Sequence, residues 1–186
     1  MPQSPVPVFE TADEISAETS VVVILQAAQN GFGPRAAALD AEMGGILSRA
    51  CSDPAVLEQS GACVDVIAPK AMSVRRVVVL ALGRAEAVTT LSLARAGGLL
   101  AAHLEGRGEC AATLVLDPLA GVELPAAEIL ARVALGMRLR RYRFDMRNRR
   151  QGAGADRTLR VQMIGAAGAE LKAALARVNA IADGVE

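Results

Sequence analysis

The chain has 186 residues, the size of one ordinary domain, and 52% of them are apolar, enough to fill a sizeable core. Aromatics are only 2%, which argues against a protein that stacks single-stranded bases on exposed rings. Charge is balanced at 20 basic against 20 acidic residues, so the composition is not that of a disordered chain.

Three features bear on compartment and chemistry. No apolar run approaches the ~18 residues of a membrane span. The opening Met1-Pro2-Gln3-Ser4-Pro5 lacks the basic stretch and apolar core of a secretory leader. Cys51, Cys63 and Cys110 are odd in number and unpaired in spacing, the pattern of reduced thiols in a cytoplasmic protein.

Taken in chain order, Val6 to Phe9 reads as a short strand, at an edge because Pro7 has no N–H for a ladder. Ser20 to Gln26 is a continuous β-branched run, suited to a strand buried on both faces. After the turn cluster Asn30 to Pro34, the recurrence of Leu39, Met43, Ile46, Leu47 and Ala50 predicts one helix from about Pro34 to Cys51. Gly44-Gly45 falls inside it, and each glycine costs about 1 kcal/mol there relative to alanine. The pair is therefore expected to serve a close backbone approach.

Cys63 to Ile67 and Val77 to Leu82 read as two further strands. Thr89 or Thr90 caps a helix whose Leu93, Ala96, Gly97, Leu100 and Leu104 share a face, stopped by Gly106 and Gly108. Thr113 to Leu116 is a strand ended by Asp117-Pro118. Pro125 opens a helix that turns Ile129, Leu130, Val133 and Met137 inward, with Glu128 and Arg132 paired at i, i+4 outside. Gln151 to Ala155 is a flexible break. Leu159 to Met163 alternates as a half-exposed strand. Leu171, Ala174, Leu175, Val178 and Ala182 line one face of a last helix. The order β-β-α-β-β-α-β-α-β-α predicts a single α/β unit over residues 1–186. It is a three-layer α/β/α sandwich around a central mixed sheet.

No catalytic constellation is apparent. There is no GxxxxGK[ST] loop, and no GxGxxG follows a strand. His103, the only histidine, is expected on the solvent side of its helix. Asp40, Glu42, Asp65, Asp117 and Asp145 are scattered, with no spacing that gathers them. Catalytic, metal-binding and cofactor-binding residues are accordingly assigned to none.

Charge is distributed unevenly. Residues 1–137 hold 9 basic and 15 acidic side chains; residues 138–150 (RLRRYRFDMRNRR) hold seven Arg and one Asp. Three readings fit this block: a docking surface for another domain or subunit, a solvated connector, and a nucleic-acid patch. The first is preferred, because Tyr142 and Phe144, half of the aromatics, lie among the arginines. Its candidate contact residues are Arg141, Tyr142, Phe144, Arg147, Arg149 and Arg150. The net acidity of residues 1–137 disfavours nucleic acid.

A family resemblance emerges at the same residues. Leu135 to Asp145 resembles the "G…L..YRFD.Y" stretch of the N-terminal domain of leucine (cytosol) aminopeptidases. Leu39 to Ser48 is similar to that family's "LD…GG.LS", Arg76 to Arg84 to its "RVLLVGLGK", and Ala180 to Glu186 to its "A.A.GV" helix. Arg147 stands where the family usually has an aromatic, and Asn148 to Gln151 stands where many members are lysine-rich.

The resemblance implies a macro-domain-like fold and a non-catalytic domain with structural, oligomeric or regulatory contacts. It implies that two divalent metal ions, zinc or manganese, sit in a separate catalytic domain that removes N-terminal residues from peptides. Nothing like that domain's "NTDAEGRL" motif occurs here. The chain alone is then expected to be inactive. Residues 167–186 would form the helix leading toward the catalytic domain, the implied partner in the same polypeptide, and the full-length enzyme would be a cytoplasmic homo-oligomer. Two alternatives are a stand-alone macro-like module binding ADP-ribose and a nucleic-acid-binding module using Arg138 to Arg150.

Overall fold

The computed structural model describes residues 7–16, 19–68, 73–148 and 158–184; for 141–148 the description covers the helical backbone. The strands are β1 (Val8–Thr11), β2 (Val21–Ala28), β3 (Cys63–Ile67), β4 (Arg76–Arg84), β5 (Ala111–Val115) and β6 (Arg160–Ile164). The helices are α1 (Pro34–Glu42), α2 (Ile46–Ala50), α3 (Pro54–Glu58), α4 (Thr90–Glu105), α5 (Ala126–Asn148) and α6 (Gly168–Asp183).

The six strands form one sheet in the order β1-β6-β5-β2-β4-β3. Every pairing is parallel except that of β3 with β4. The mixed sheet expected from the sequence is therefore parallel through its body with one antiparallel edge. Pro7 precedes β1 at the opposite edge, where a missing donor costs least.

β2 is buried along its whole length, as its unbroken apolar run requires. Its side chains alternate between two cores. Val21, Val23 and Leu25 join Val78, Leu80 and Leu82 of β4 beneath α4, α5 and α6. Val22, Ile24 and Ala28 join Val77, Val79 and Ala81 beneath α1, α2 and α3. Val23, Leu25, Leu47, Val78, Leu80, Leu100, Val115, Val133 and Val161, all on strands or helix faces read from the sequence, are buried.

Helix α4 begins at a reciprocal cap. Thr89 Oγ1 accepts from Ser92 N at 3.1 Å, and Ser92 Oγ accepts from Thr89 N at 2.9 Å. The predicted inner faces of α4, α5 and α6 are buried as read. Gly97 and Gly136 let α4 and α5 pack backbone to backbone. A Cβ on Gly97 would lie 2.0 Å from Val133 O, and one on Gly136 would lie 1.8 Å from Ala94 O.

The single helix expected over Pro34 to Cys51 is instead two. Gly44 and Gly45 have φ of 69° and 74°, a left-handed pair that ends α1 and redirects the chain. Nothing lies within 4 Å of a Cβ placed on Gly44, so this pair serves a turn and not a close approach. Asp40 secures the junction, accepting from Leu47 N at 2.8 Å, from Ser48 N at 3.2 Å and from the Ser48 hydroxyl. The stretch Gln151 to Ala155 lies outside the described residues.

Candidate functional site

Parallel strands joined by helices give the domain two functionally distinct ends. The carboxyl ends of the strands carry the loops before α1, α4, α5 and α6. In open α/β sheets this is where ligands bind, with anions at helix N-termini. Here the N-terminus of α1 is closed by the protein itself. Pro34 has no N–H, and Ala36 N donates to Asp117 Oδ2 at 2.9 Å. Asp117 is buried, and its other oxygen holds Arg35 Nη1 at 3.3 Å. The donors and the cation that would hold a diphosphate are engaged by one carboxylate.

The opposite end gathers charge that the sequence spacing did not reveal. Asp65 on β3 accepts from Arg76 Nη1 at 2.6 Å and from Arg107, just past α4. His103 Nε2 lies 3.3 Å from the same carboxylate. Glu109, buried ahead of β5, pairs with Arg75 Nη2 at 2.6 Å and Arg76 Nε at 3.5 Å. Burial works against ionised Asp65, but the hydrogen bonds from Arg76 and Arg107 prevail and lower its pKa. Burial, helped by the Arg107 charge, lowers that of His103. Cys63 is pushed up to about 11, mainly by burial.

His103 is thus not the solvent-facing residue expected from its helix. Its side chain is only 14% exposed and turns inward to Asp65. The cluster ties β3, β4, α4 and the start of β5 together. Arginines pair with both of its carboxylates. Among the described residues, no group of three or more His, Cys, Asp or Glu side chains could hold a metal ion. The donor set does not fit a metal centre.

The arginine block lies at this same end, on the last part of α5. Helices α5 and α6 run in the same direction. Arg177 Nη2 on α6 reaches Glu128 Oε2 near the start of α5 at 3.4 Å. Further along, Arg138 Nη1 donates to Asn179 Oδ1 at 3.1 Å and its other amine pairs with Asp183. Arg138 is buried, so the first residue of the block is an internal clamp. Beyond this clamp, α5 continues for ten residues, about 15 Å at 1.5 Å per residue, while α6 ends at Asp183. Arg140 is exposed. Of the candidate contacts, Arg141, Tyr142, Phe144 and Arg147 fall on the backbone of this extension, and Arg149 and Arg150 lie outside the described residues.

One further feature was not legible in the sequence. A groove of about 880 Å³ runs between α1 and residues 13–16, on the sheet face opposite α5. Leu39, Ile15, Val74 and Ile164 give it an apolar floor, and Asp13, Glu14 and Glu42 an acidic rim.

A sheet of parallel strands with one antiparallel edge, between helical layers, is the architecture of macro domains. Over 98% of this chain and 96% of that one, a mutant macrodomain of Oceanobacillus iheyensis superposes with a TM-score of 0.65 at 13% identity. A mutant tomato leucine aminopeptidase superposes over the whole chain with a TM-score of 0.76 at 19% identity, covering 38% of that chain. Residues 21–150 match the model of the cytosol aminopeptidase family, N-terminal domain. The probable cytosol aminopeptidase of Agrobacterium fabrum is 33% identical over 177 residues, 94% of this chain. The chain belongs to the cytosol aminopeptidase family, in its N-terminal domain. It spans about a third of the length of that relative, 35%.

Proposed function

We propose that the chain is the non-catalytic N-terminal domain of a metal-dependent aminopeptidase, residues 1–186 forming one unit whose last helix, 167–186, leads toward a catalytic domain of the same polypeptide. Its role is to dock. The carrying observation is the ten-residue overshoot of α5 beyond the Arg138 clamp, at the end of the domain where α6 finishes. Arg141, Tyr142, Phe144, Arg147, Arg149 and Arg150 are the proposed contacts with a catalytic domain or a neighbouring subunit. Arginine and aromatic side chains are the usual anchors of such interfaces. The zinc or manganese pair, the peptide substrates and the cytoplasmic homo-oligomer belong to this reading of the whole enzyme. The self-capped α1 supports docking over ADP-ribose recognition.

The test mixes the purified chain with the catalytic portion of the Agrobacterium fabrum relative. Alone, with added manganese or zinc, the chain should not hydrolyse a leucine anilide. It should bind the catalytic portion, and reversing Arg141, Arg147, Arg149 and Arg150 to Glu should abolish that binding. Chelator-sensitive hydrolysis by the chain alone, or binding indifferent to the reversal, would overturn the proposal.

A further inference from the structure

The groove beside α1 and the arginine extension of α5 are complementary in charge and in shape of their chemistry. The groove rim carries Asp13, Glu14 and Glu42, and no ion pair to these three occurs among the described residues. Arg35, the one cation among its described lining residues, is held by Asp117. The floor is aliphatic, and Leu39 and Ile164 are buried in the core beneath it. The extension supplies the counterpart. Arg140, Arg143, Phe144 and Arg147 are spaced i, i+3, i+4 and i+7 along one helix, three cations bracketing one aromatic.

The two features cannot meet within one molecule. α5 packs with α4 and α6 on one face of the sheet, whereas α1 and the groove lie on the other. The Arg138 clamp and the backbone contact of α4 with α5 fix the helix there. An arginine helix on one face and an acidic groove on the other suit a head-to-tail contact between copies. Such a contact uses two different patches and repeats from copy to copy.

The geometry points to a second copy of this chain as the occupant of the groove, its Arg140 to Arg147 stretch seated with Phe144 on the aliphatic floor and the arginines against Asp13, Glu14 and Glu42. This rests on the docking role proposed above and names the partner as a neighbouring subunit. Attraction between partly exposed charges makes the contact salt-sensitive, because the screening length falls from about 30 Å at 0.01 M to about 3 Å at 1 M ionic strength.

Sedimentation velocity of the whole chain tests this. Self-association should rise with concentration at low salt and weaken roughly tenfold or more across that salt range. A groove variant (Asp13→Arg, Glu14→Arg, Glu42→Arg) and a helix variant (Arg140→Glu, Arg143→Glu, Arg147→Glu) should each be monomeric. Their circular dichroism spectra should match that of the parent, since the changed groove residues lie at its solvent-facing rim. Mixed together, one variant offers an intact helix and the other an intact groove, and the reversed helix and reversed groove are complementary to each other as well, so association should return. A chain monomeric at every concentration, association untouched by either reversal, or no rescue on mixing overturns the inference. So does binding of a free Arg-rich peptide in the groove while the chain stays monomeric. If the chain is monomeric yet the block still binds the catalytic portion, this inference alone fails. Loss of both removes the docking reading as well.

Discussion

Two adjacent glycines on α4 should respond to the same substitution with opposite signs. In Gly97→Ala the new methyl lies 2.0 Å from Val133 O, with Val133 C at 2.8 Å and its Cα at 3.0 Å. All three are backbone atoms of α5, so no side chain can swing aside. Ordinary close C···O approach is about 3.3 Å, which leaves α4 and α5 to separate by about 1.3 Å. A radial gap of even 0.5–1 Å forfeits about a quarter to a half of the dispersion well for the atoms lining it. The contact runs along Leu93, Ala96, Leu100 and Ala101, all buried. Overpacking of this kind costs about 1–3 kcal/mol and occasionally more, and the helix-propensity gain of Ala over Gly returns about 1 kcal/mol. With two backbone walls and no relief, the upper end applies and Gly97→Ala should lose about 2–3 kcal/mol. At about 2–4 °C per kcal/mol for a chain of this size, the melting temperature should fall by about 5–10 °C. In Gly98→Ala the nearest atom is Gly136 O at 3.5 Å, an ordinary contact. That variant should be neutral or up to about 1 kcal/mol more stable. Urea unfolding of both variants beside the parent measures the contrast. Equal stabilities within about 0.5 kcal/mol would refute the backbone-contact argument.

Other outcomes follow from single contacts. Leu80→Ala, at a fully buried position of β4, should cost about 2–5 kcal/mol in the same urea assay. Asp40→Ala removes the acceptor that joins α1 to α2 and should cost about 1–2 kcal/mol, with protease sensitivity rising near Gly44-Gly45. Lowered pKa values for Asp65 and His103 mean that both groups contribute stability above their unfolded values, lost as pH falls through the folded ones. Acid titration of unfolding free energy should therefore be flatter below pH ~6.5 in His103→Asn than in the parent. The Cys63 thiol, raised to about 11, acts in the other direction. It contributes stability below its unfolded pKa that is lost as pH rises toward 11, and its alkylation by iodoacetamide at pH ~8 should be far slower folded than in urea, by peptide mass mapping.

What the sequence disclosed and what it withheld divide along physical lines. β2 was readable because Val21 to Leu25 are apolar without interruption, and only a strand covered on both faces wants that. α6 was readable because Leu171, Ala174, Leu175, Val178 and Ala182 repeat at the helical period. The Gly44-Gly45 junction misled because the periodicity of Leu39, Met43 and Leu47 continues in phase across it: all three are buried on the same side of the sheet. Left-handed φ at the pair leaves no mark in hydrophobic spacing. His103 misled for a different reason. A helix wheel gives its angle but not the carboxylate of Asp65, which β3 delivers from 38 positions earlier in the sequence. The arginine block announced itself by composition, while the inward turn of Arg138 depends on Asn179 and Asp183, more than forty residues on. The groove was invisible because its walls come from four separate segments, none of them unusual alone.

The placement of β1 has a consequence for synthesis. Among the described residues its one strand neighbour is β6, with Val8 opposite Arg160 and Thr11 opposite Met163. β1 must therefore wait for β6. At about 5–20 residues per second, roughly 150 further residues take about 8–30 s to emerge from the ribosome. During that interval β2 and β4 can pair, since only about fifty residues separate them, but β5 has an open flank until Arg160 to Ile164 arrive. The nascent chain thus carries two unsatisfied strand edges at once, one on β1 and one on β5, and β6 satisfies both when it inserts between them. A ribosome stalled before Arg160 would display both edges to its neighbours on the same message, so the vulnerable period of this protein lies in its translation.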